Sequence, residues 1–359
     1  MPARILYISY PLLTVSQRSA GGAEQVLWTL EREMARRGIP TAVAASAGSR
    51  ISGELLPTGE PCTQADDFER RNREHQETII RSLRRPHRFD LVHDMSGSFW
   101  MRASEVDIPV LATLHLPRSF YSPQSFDHVP PNLTLNCVSQ SQARSFSDIP
   151  NMLGVVPNGI ALDGFATESH ADNPANERRG LLWLGRICEE KGPHVALEIA
   201  RLARMPVTVA GQVYPFSYHQ QYFEREVAPR LQQVPEAKLV VSPSPVEKRR
   251  LLRQAQALLV TSLVEETSSL VAMEAAASGT PVIAFRRGAL PEVVRDQVTG
   301  FVVDSAEDAA RACERIASIA QQACIDYARD NFDSGRMAQN YVGLYERALS
   351  MCGATAARG

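Results

Sequence analysis

The sequence has neither a long apolar run nor an excess of one charge. No stretch reaches the roughly 18 consecutive apolar residues of a membrane-spanning helix, and the apolar stretch from Ile5 to Tyr10 is too short for a signal peptide. The formal net charge of −2 at pH 7 creates no overall field that attracts a nucleic acid. We therefore expect a cytoplasmic protein with no transmembrane segment and no nucleic-acid partner.

The densest basic run consists of Arg81, Arg84, Arg85, His87 and Arg88. It is typical of a solvated helix end, and it is also compatible with peripheral contact with anionic lipid.

Spacings typical of metal ions, disulfides and two nucleotide-binding classes are absent as well. The six cysteines show no C-x-x-C or C-x-x-H spacing, which argues against a zinc site, and their even number does not make a disulfide framework in a chain of 359 residues. Neither G-x-G-x-x-G nor G-x-x-x-x-G-K-[ST] occurs in the glycine-containing first loop, so nicotinamide and P-loop chemistry lose their main support. We expect no metal, no cofactor and a reducing compartment.

Length and periodicity predict two α/β domains. A chain of 359 residues exceeds what one hydrophobic core usually supports. Short apolar runs rich in β-branched residues alternate with longer segments of helical period, which is typical of βα units on parallel sheets. We predict Rossmann-like domains over 1–165 and 166–335 and a terminal helix within 336–359, with the polar stretch 163–180 as a linker.

Strands and helices alternate through both predicted domains. The predicted strands cover 4–9, 41–45, 90–93, 110–114, 133–139, 181–184, 207–210, 257–260 and 281–284. The predicted helices cover 23–37, 194–204, 246–256, 270–278 and most of 306–331. Ligands of such sheets bind at the carboxyl ends of the strands, so we expect the functional site in a cleft there.

The most informative segment runs from Glu266 to Ala284. Ser268 or Ser269 is a good N-cap and Gly279 is a good C′ residue, so a helix is predicted between them. The beginning of such a helix is an anion site, because its first N–H groups have no acceptor within the helix and its dipole favours negative charge.

This helix start suits a nucleotide diphosphate. The N–H groups of about 269–271, which include those of Leu270 and Val271, would bind a phosphate with no metal. Glu274, one turn into the helix, is positioned to accept hydrogen bonds from a ribose diol. Glu266, just outside the helix, is positioned to reach sugar hydroxyls beyond the phosphates.

A second segment, Leu184 to Gly192, follows a predicted strand and precedes a helix that Pro193 can start. Gly185 is followed here by Arg186 and Lys191, which we place on one strand-to-helix loop. Two cations on such a loop suit a diphosphate, with arginine as a fork and lysine as a point charge. Both would neutralise a pyrophosphate leaving group as its charge develops.

These segments resemble the retaining GT-B glycosyltransferases of family four. The hallmark of that family is two glutamates separated by seven residues, and Glu266 and Glu274 have this spacing. The resemblance implies that Glu266 contacts the donor sugar, that Glu274 contacts the ribose, and that Arg186 and Lys191 hold the diphosphate. It also implies the GT-B architecture, in which two Rossmann-like domains face each other across a cleft and the terminal helix crosses back to the first domain.

Four further residues resemble functional positions of the family. Gly21 and Gly22 look like its glycine loop, which faces the donor phosphates and the acceptor. His115, at the end of a predicted strand, resembles a histidine near the reacting sugar, and Gly211 ends a strand where a nucleotide would pass close. For His93, in a similar position, a packing role is favoured.

The resemblance implies a retaining, metal-independent transfer of a hexose in carbohydrate biosynthesis. The donor is a nucleotide diphosphate sugar, with a UDP-sugar favoured over a GDP-sugar. The acceptor is a small molecule, a glycan or a lipid-linked compound. Two alternatives stay open, namely a non-catalytic GT-B subunit that binds nucleotide sugar and a sugar-nucleotide epimerase of the same fold.

Overall fold

A computed structural model of the protein describes residues 3–19, 21–62, 64–85, 88–165, 178–214 and 216–356. The chain forms two compact units. Unit 1 consists of Met1–Gly159 and Ser334–Gly359, and unit 2 is the continuous segment Ile160–Asp333. Most of the predicted linker (166–177), together with Ala20 of the predicted glycine loop and positions 86 and 87 of the basic run, lies outside the described residues.

Unit 1 is built on a seven-stranded parallel sheet. Its strands are β1 (Ile5–Ile8), β2 (Thr41–Ala45), β3 (Glu54–Pro57), β4 (Leu91–Asp94), β5 (Val110–Thr113), β6 (Leu133–Cys137) and β7 (Met152–Val155), in the order β3-β2-β1-β4-β5-β6-β7. Its first three helices are α1 (Gly22–Arg36), α2 (Phe68–Leu83) and α3 (Gln140–Ser145). The inner strands are buried along their whole length, which explains why they are apolar runs rather than alternating ones.

Unit 2 repeats this plan with six parallel strands. They are β8 (Leu181–Arg186), β9 (Val207–Gln212), β10 (Lys238–Val241), β11 (Ala257–Val260), β12 (Val282–Phe285) and β13 (Gly300–Val303), in the order β10-β9-β8-β11-β12-β13. The helices are α4 (Pro193–Ala203), α5 (Ser217–Tyr222), α6 (Ala228–Gln233), α7 (Pro245–Gln254), α8 (Leu270–Ala277), α9 (Leu290–Val293), α10 (Ala306–Arg315) and α11 (Gln321–Asn331). Strands and helices alternate as the sequence predicts.

The final helix, α12 (Ser334–Ala356), belongs to unit 1. The hydroxyl of Tyr345 lies 3.0 Å from that of Tyr7 and 2.9 Å from Nδ1 of His93, and the hydroxyl of Tyr341 lies 3.1 Å from Oγ1 of Thr113. Both α12 tyrosines are buried. Unit 1 is therefore assembled from two stretches of chain that are separated by the whole of unit 2.

The two ends of unit 2 lie next to each other. Ile160 pairs with Asp333 in an isolated parallel bridge, and the N–H of Ile160 donates to the carbonyl of Phe332 at 2.8 Å. This pairing puts the unit boundaries at 159 and 333, whereas the sequence placed the domain boundaries at 165 and 335.

Candidate active site

The chain order of the unit 2 sheet reverses between β8 and β11, and ligands of open α/β sheets bind outside the carboxyl ends of the strands at such a point. Arg186 is the last residue of β8, so it lies on the strand end rather than on the loop where the sequence placed it. Its guanidinium lies over the ring of Tyr214, 5.6 Å from the ring centroid. The segment after β11 begins with the buried residues Thr261 and Ser262.

Lys191 reaches this point through a tight turn. A 3-10 turn, Glu189–Lys191, ends at Gly192, which has a left-handed φ of 64°. A Cβ on Gly192 would lie 2.3 Å from the carbonyl oxygen of Thr261, so only glycine fits here. The hydroxyl of Thr261 donates to the carbonyl of Gly192 at 2.7 Å, which fixes the backbone next to Lys191.

Lys191 and Glu266 form an ion pair beside this turn. Lys191 Nζ lies 2.5 Å from Oε1 of Glu266, and the same oxygen accepts a hydrogen bond from the hydroxyl of Ser262. The side chain of Glu266 is 9% exposed and that of Lys191 is 34% exposed. The carboxylate is therefore held in place while part of the ammonium stays open to solvent.

The α8 helix begins and ends where the sequence predicts. Ser269 is the N-cap, and its hydroxyl accepts from the N–H of Ala272 at 3.4 Å. Gly279 has a φ of 68° just after the helix, as expected of a C′ residue. Oγ of Ser268 is buried and has no hydrogen-bond partner among the described residues.

Glu274 is a buried carboxylate with one occupied and one free oxygen. Its Oε1 lies 2.5 Å from Nζ of Lys248, on α7. Its Oε2 is buried and has no hydrogen-bond partner within the described part of the chain. Buried polar atoms are nearly always paired, so an acceptor in this state is a candidate for binding a ligand hydroxyl.

The predicted glycines of β8 and β9 have a packing explanation. A Cβ on Gly211 would lie 1.8 Å from the carbonyl oxygen of Gly185, on the neighbouring strand. The approach of the two strands therefore requires glycine at position 211. The contact of Gly185 or Gly211 with a nucleotide stays a prediction.

The predicted residues of unit 1 lie at the ends of its own elements. Gly21 is the N-cap residue of α1 and Gly22 is the first residue of that helix. His115 follows the end of β5, and burial lowers its pKa to about 4, so the imidazole is neutral near pH 7.

His93 has the packing role that the sequence favours. Its Nε2 lies 2.7 Å from Oγ1 of Thr113, whose hydroxyl donates to Oδ1 of Asn136. Nε2 of His93 is therefore the donor to Thr113, and its Nδ1 accepts from the hydroxyl of Tyr345. Both ring nitrogens are used within the unit, which leaves none for a substrate.

Two family models together match most of the chain. The model described as Glycosyl transferases group 1 matches residues 165–331, and the model described as Glycosyltransferase Family 4 matches residues 20–163. The chain belongs to the group 1 glycosyltransferases. The family resemblance of the two-glutamate segment is thereby confirmed.

Curated relatives within this family are moderately similar. A D-inositol 3-phosphate glycosyltransferase of Streptomyces scabiei is 28% identical over 269 residues, which are 64% of this chain and 59% of the relative. The enzyme of the same name from Xylanimonas cellulosilytica is 30% identical over 253 residues, which are 60% of each chain. The matched stretches thus span about three fifths of the length of these two relatives.

Three solved structures share the fold. AviGT4, a glycosyltransferase involved in avilamycin A biosynthesis, has a TM-score of 0.74 and 22% identity, with coverage of 97% of this chain and 98% of that one. Sucrose-phosphate synthase from Thermosynechococcus elongatus has a TM-score of 0.77 and 19% identity, with coverage of 97% and 99%. Anabaena HepE, solved in complex with UDP-glucose, has a TM-score of 0.73 and 15% identity, with coverage of 96% and 100%. The fold of this glycosyltransferase is therefore GT-B.

In the described part of this glycosyltransferase, no helix is both long and apolar enough to cross a bilayer.

The sequence reasoning missed Lys248, although a signal was available. The chain contains only three lysines, Lys191, Lys238 and Lys248, in a total of 38 lysine and arginine residues. Two of the three pair with the two glutamates of the family hallmark. The third lysine, Lys238, is exposed on β10, so the scarcity of lysine was a signal for two of the three positions.

Proposed function

We propose that this protein is a retaining glycosyltransferase that transfers a hexose from a nucleotide diphosphate sugar to an acceptor hydroxyl with no metal. The observation that carries the proposal is the pair of buried glutamates at α8. Each of them is held by a lysine, and Glu274 keeps one buried oxygen free of partners among the described residues. Family membership supports the reaction class.

The diphosphate binds at the beginning of α8. The Ser269 hydroxyl already satisfies the N–H of Ala272, so the N–H groups of Leu270 and Val271 are the ones aimed at a ligand. Lys191 and Arg186 supply positive charge at the adjacent strand end. Charge that develops on the leaving diphosphate is then stabilised by fixed donors, which is the largest contribution to many enzymatic rates.

The two glutamates divide the rest of the donor between them. Oε2 of Glu274 accepts from the ribose hydroxyls, while Lys248 holds the other oxygen and so fixes the carboxylate orientation. Glu266 accepts from hydroxyls of the hexose, and Lys191 bridges Glu266 to the diphosphate. One network therefore links the sugar to its leaving group.

Attack on the same face as the departing diphosphate explains how retention is achieved here. A phosphate oxygen takes the proton of the acceptor hydroxyl, so the reaction needs no protein nucleophile. His115, neutral near pH 7, orients the donor or acceptor as a hydrogen-bonding group rather than as a cation.

A UDP-sugar is the favoured donor, and the structure of Anabaena HepE with UDP-glucose supports testing it first. The purified chain is incubated with UDP-glucose or GDP-mannose, with excess chelator, and with D-inositol 3-phosphate, the compound in the names of two relatives, or a panel of glycans as acceptor. We expect acceptor-dependent release of the nucleotide diphosphate and an α-linked product.

Three outcomes separate the proposal from its alternatives. Conversion of the donor with no acceptor indicates an epimerase. Nucleotide binding without turnover on any acceptor indicates a non-catalytic subunit. Loss of turnover in chelator overturns the metal-independent mechanism.

A further inference from the structure

A thiol, an imidazole and a carboxylate converge beside the strand end that carries Arg186. One ligand atom from each of Cys188, Glu190 and His219 lies within 4.8 Å of the others. Cys188 and Glu190 belong to the segment between β8 and α4, whereas His219 lies on α5. In the described part of the chain, this is the only group of three or more such residues within ligand distance.

His219 is buried in a way that its own surroundings do not explain. The residue is 1% exposed, and neither Nδ1 nor Nε2 has a hydrogen-bond partner among the described residues. Its neighbours include the rings of Tyr218 and Phe216, with centroids 4.2 and 5.4 Å away, which offer no acceptor to the ring nitrogens. Buried polar atoms are usually satisfied by protein, water or an ion, so these nitrogens point to a ligand.

The other two side chains are suitable partners. Cys188 is fully buried, and its Sγ lies 3.5 Å from the carbonyl oxygen of Arg186. Glu190 is half-buried and its backbone carbonyl accepts from the N–H of Leu263 at 2.8 Å, which anchors it. The exposed side of Glu190 provides an entry path from solvent.

We propose that Cys188, Glu190 and His219 bind one zinc-class divalent cation, with water as the fourth ligand. Sulfur, nitrogen and oxygen donors in one small set are those that Zn²⁺ prefers, and three protein ligands leave one tetrahedral position open. Zn–ligand bonds of about 2.0–2.3 Å require the three atoms to close in by up to about 1 Å. Binding displaces the thiol proton to solvent, because only the thiolate is a ligand.

The charges of the site balance without help from Arg186. A thiolate and a carboxylate carry one negative charge each and neutralise a dication. Exchange of the thiol proton for a dication still adds one positive charge beside the guanidinium of Arg186, so Arg186 weakens binding. The cation would tie α5 to the segment between Arg186 and Lys191.

This inference does not depend on the proposed transferase activity, because metal binding is measured directly. The full chain, free of any histidine tag and kept reduced, is stripped with chelator, exchanged into buffer and titrated with Co²⁺. Thiolate coordination of Co²⁺ gives a near-ultraviolet charge-transfer band. We expect the band to saturate at one equivalent and to disappear when Zn²⁺ is added.

Variants assign the band to Cys188 and Glu190. Cys188→Ser should abolish it, and Glu190→Gln should weaken Co²⁺ binding about 10- to 100-fold. The matched control is Cys313→Ser, which alters another buried cysteine outside the cluster and should keep the band at full height. Circular dichroism of each variant reports its folding, and Glu190→Gln keeps the test valid if Cys188→Ser does not fold.

The proposal is overturned by no thiolate band in the wild-type chain, by an unchanged band in a folded Cys188→Ser variant, or by unchanged Co²⁺ affinity in Glu190→Gln.

Discussion

The two units have the same alternation of strands and helices, but one polar network in unit 1 is complete whereas one in unit 2 keeps a free acceptor. In unit 1, His93 and Thr113 are satisfied by one another, by Asn136 and by the tyrosines of α12. In unit 2, Glu274 is paired through one oxygen only, and its second oxygen has no partner among the described residues. A closed polar network holds a fold together, whereas a network with a free buried acceptor is available to a ligand.

The largest expected effect comes from removing Lys191, the lysine of unit 2 that pairs with Glu266. Lys191→Ala should lower kcat for glycosyl transfer about 100- to 1,000-fold, because a preorganised charge on the leaving diphosphate is lost. Steady-state kinetics with saturating donor measures this. The control is Lys238→Ala, which removes an exposed lysine of β10 and should keep wild-type turnover. Equal rates in the two variants would remove Lys191 from the mechanism.

Breaking the closed network of unit 1 should lower the stability of the fold rather than the rate of transfer. Tyr345→Phe removes the hydroxyl that meets Tyr7 and His93, so it leaves buried polar groups unpaired and should lower the free energy of unfolding by about 1–3 kcal/mol. Hydrogen-exchange mass spectrometry should locate the loss of protection in unit 1, with UDP affinity unchanged.

Tyr218→Phe is the matched control, since Tyr218 is 57% exposed and its hydroxyl should contribute little. A large loss of UDP binding in Tyr345→Phe would contradict the separation of the two networks.

Acid should weaken unit 1 through its buried histidines. Burial lowers the pKa of His93 to about 3 and that of His75 to about 4, whereas an unfolded histidine has a pKa of about 6.5. As pH falls from about 6.5 towards these lower values, the unfolded chain binds protons that the folded chain does not, so the folded state loses stability. Asp94 acts in the opposite direction, because burial raises its pKa to about 6. His115, whose pKa burial lowers to about 4, acts in the same direction as the other two histidines. Three histidines against one aspartate leave a net loss of about 2.7 kcal/mol per pH unit near pH 5.

Urea unfolding of the wild type at pH 7, 6 and 5, followed by exchange protection in unit 1, measures this slope. Asp94→Asn removes the opposing group and should make the slope steeper. Stability that stays level from pH 7 to pH 5 would show that these histidines do not control it.

The smallest expected effect tests whether the free Oε2 of Glu274 binds the ribose. Wild type should bind UDP about 10-fold more tightly than 2′,3′-dideoxy-UDP, and Glu274→Gln should lose most of this discrimination, because the ribose diol then meets no free carboxylate oxygen. Calorimetric titration of both ligands gives the coupling. Glu314→Gln, at an exposed position of α10, should discriminate as wild type does.

The sequence predicts inner strands better than edge strands. Each of the nine inner strands of the two sheets is predicted, whereas the four edge strands β3, β7, β10 and β13 are not. Inner strands of a parallel sheet are covered on both faces and so are continuous apolar runs. Three of the edge strands are only half-buried or exposed and lack that signal. The fourth, β13, is buried, but its apolar run covers only residues 301–303 after a glycine.

In the candidate site, too, some features could be predicted from the sequence and others could not. Residues within one short segment were predicted, such as Glu266, Ser269 and Glu274 around α8. Contacts between segments were not, because Lys248 and His219 meet their partners only through the packing of α7 and α5. Scattered cysteines argued against metal binding by their spacing, whereas the fold brings Cys188 next to a distant histidine.

The return of α12 to unit 1 has a consequence for the order in which the protein matures during translation. His93 and Thr113 leave the ribosome before any residue of unit 2, and the tyrosines that complete their network leave after all of it. Unit 2 is one continuous segment and has all of its partners once it has emerged. The half of the protein that is made first is therefore expected to become stable last, the reverse of the usual vectorial order.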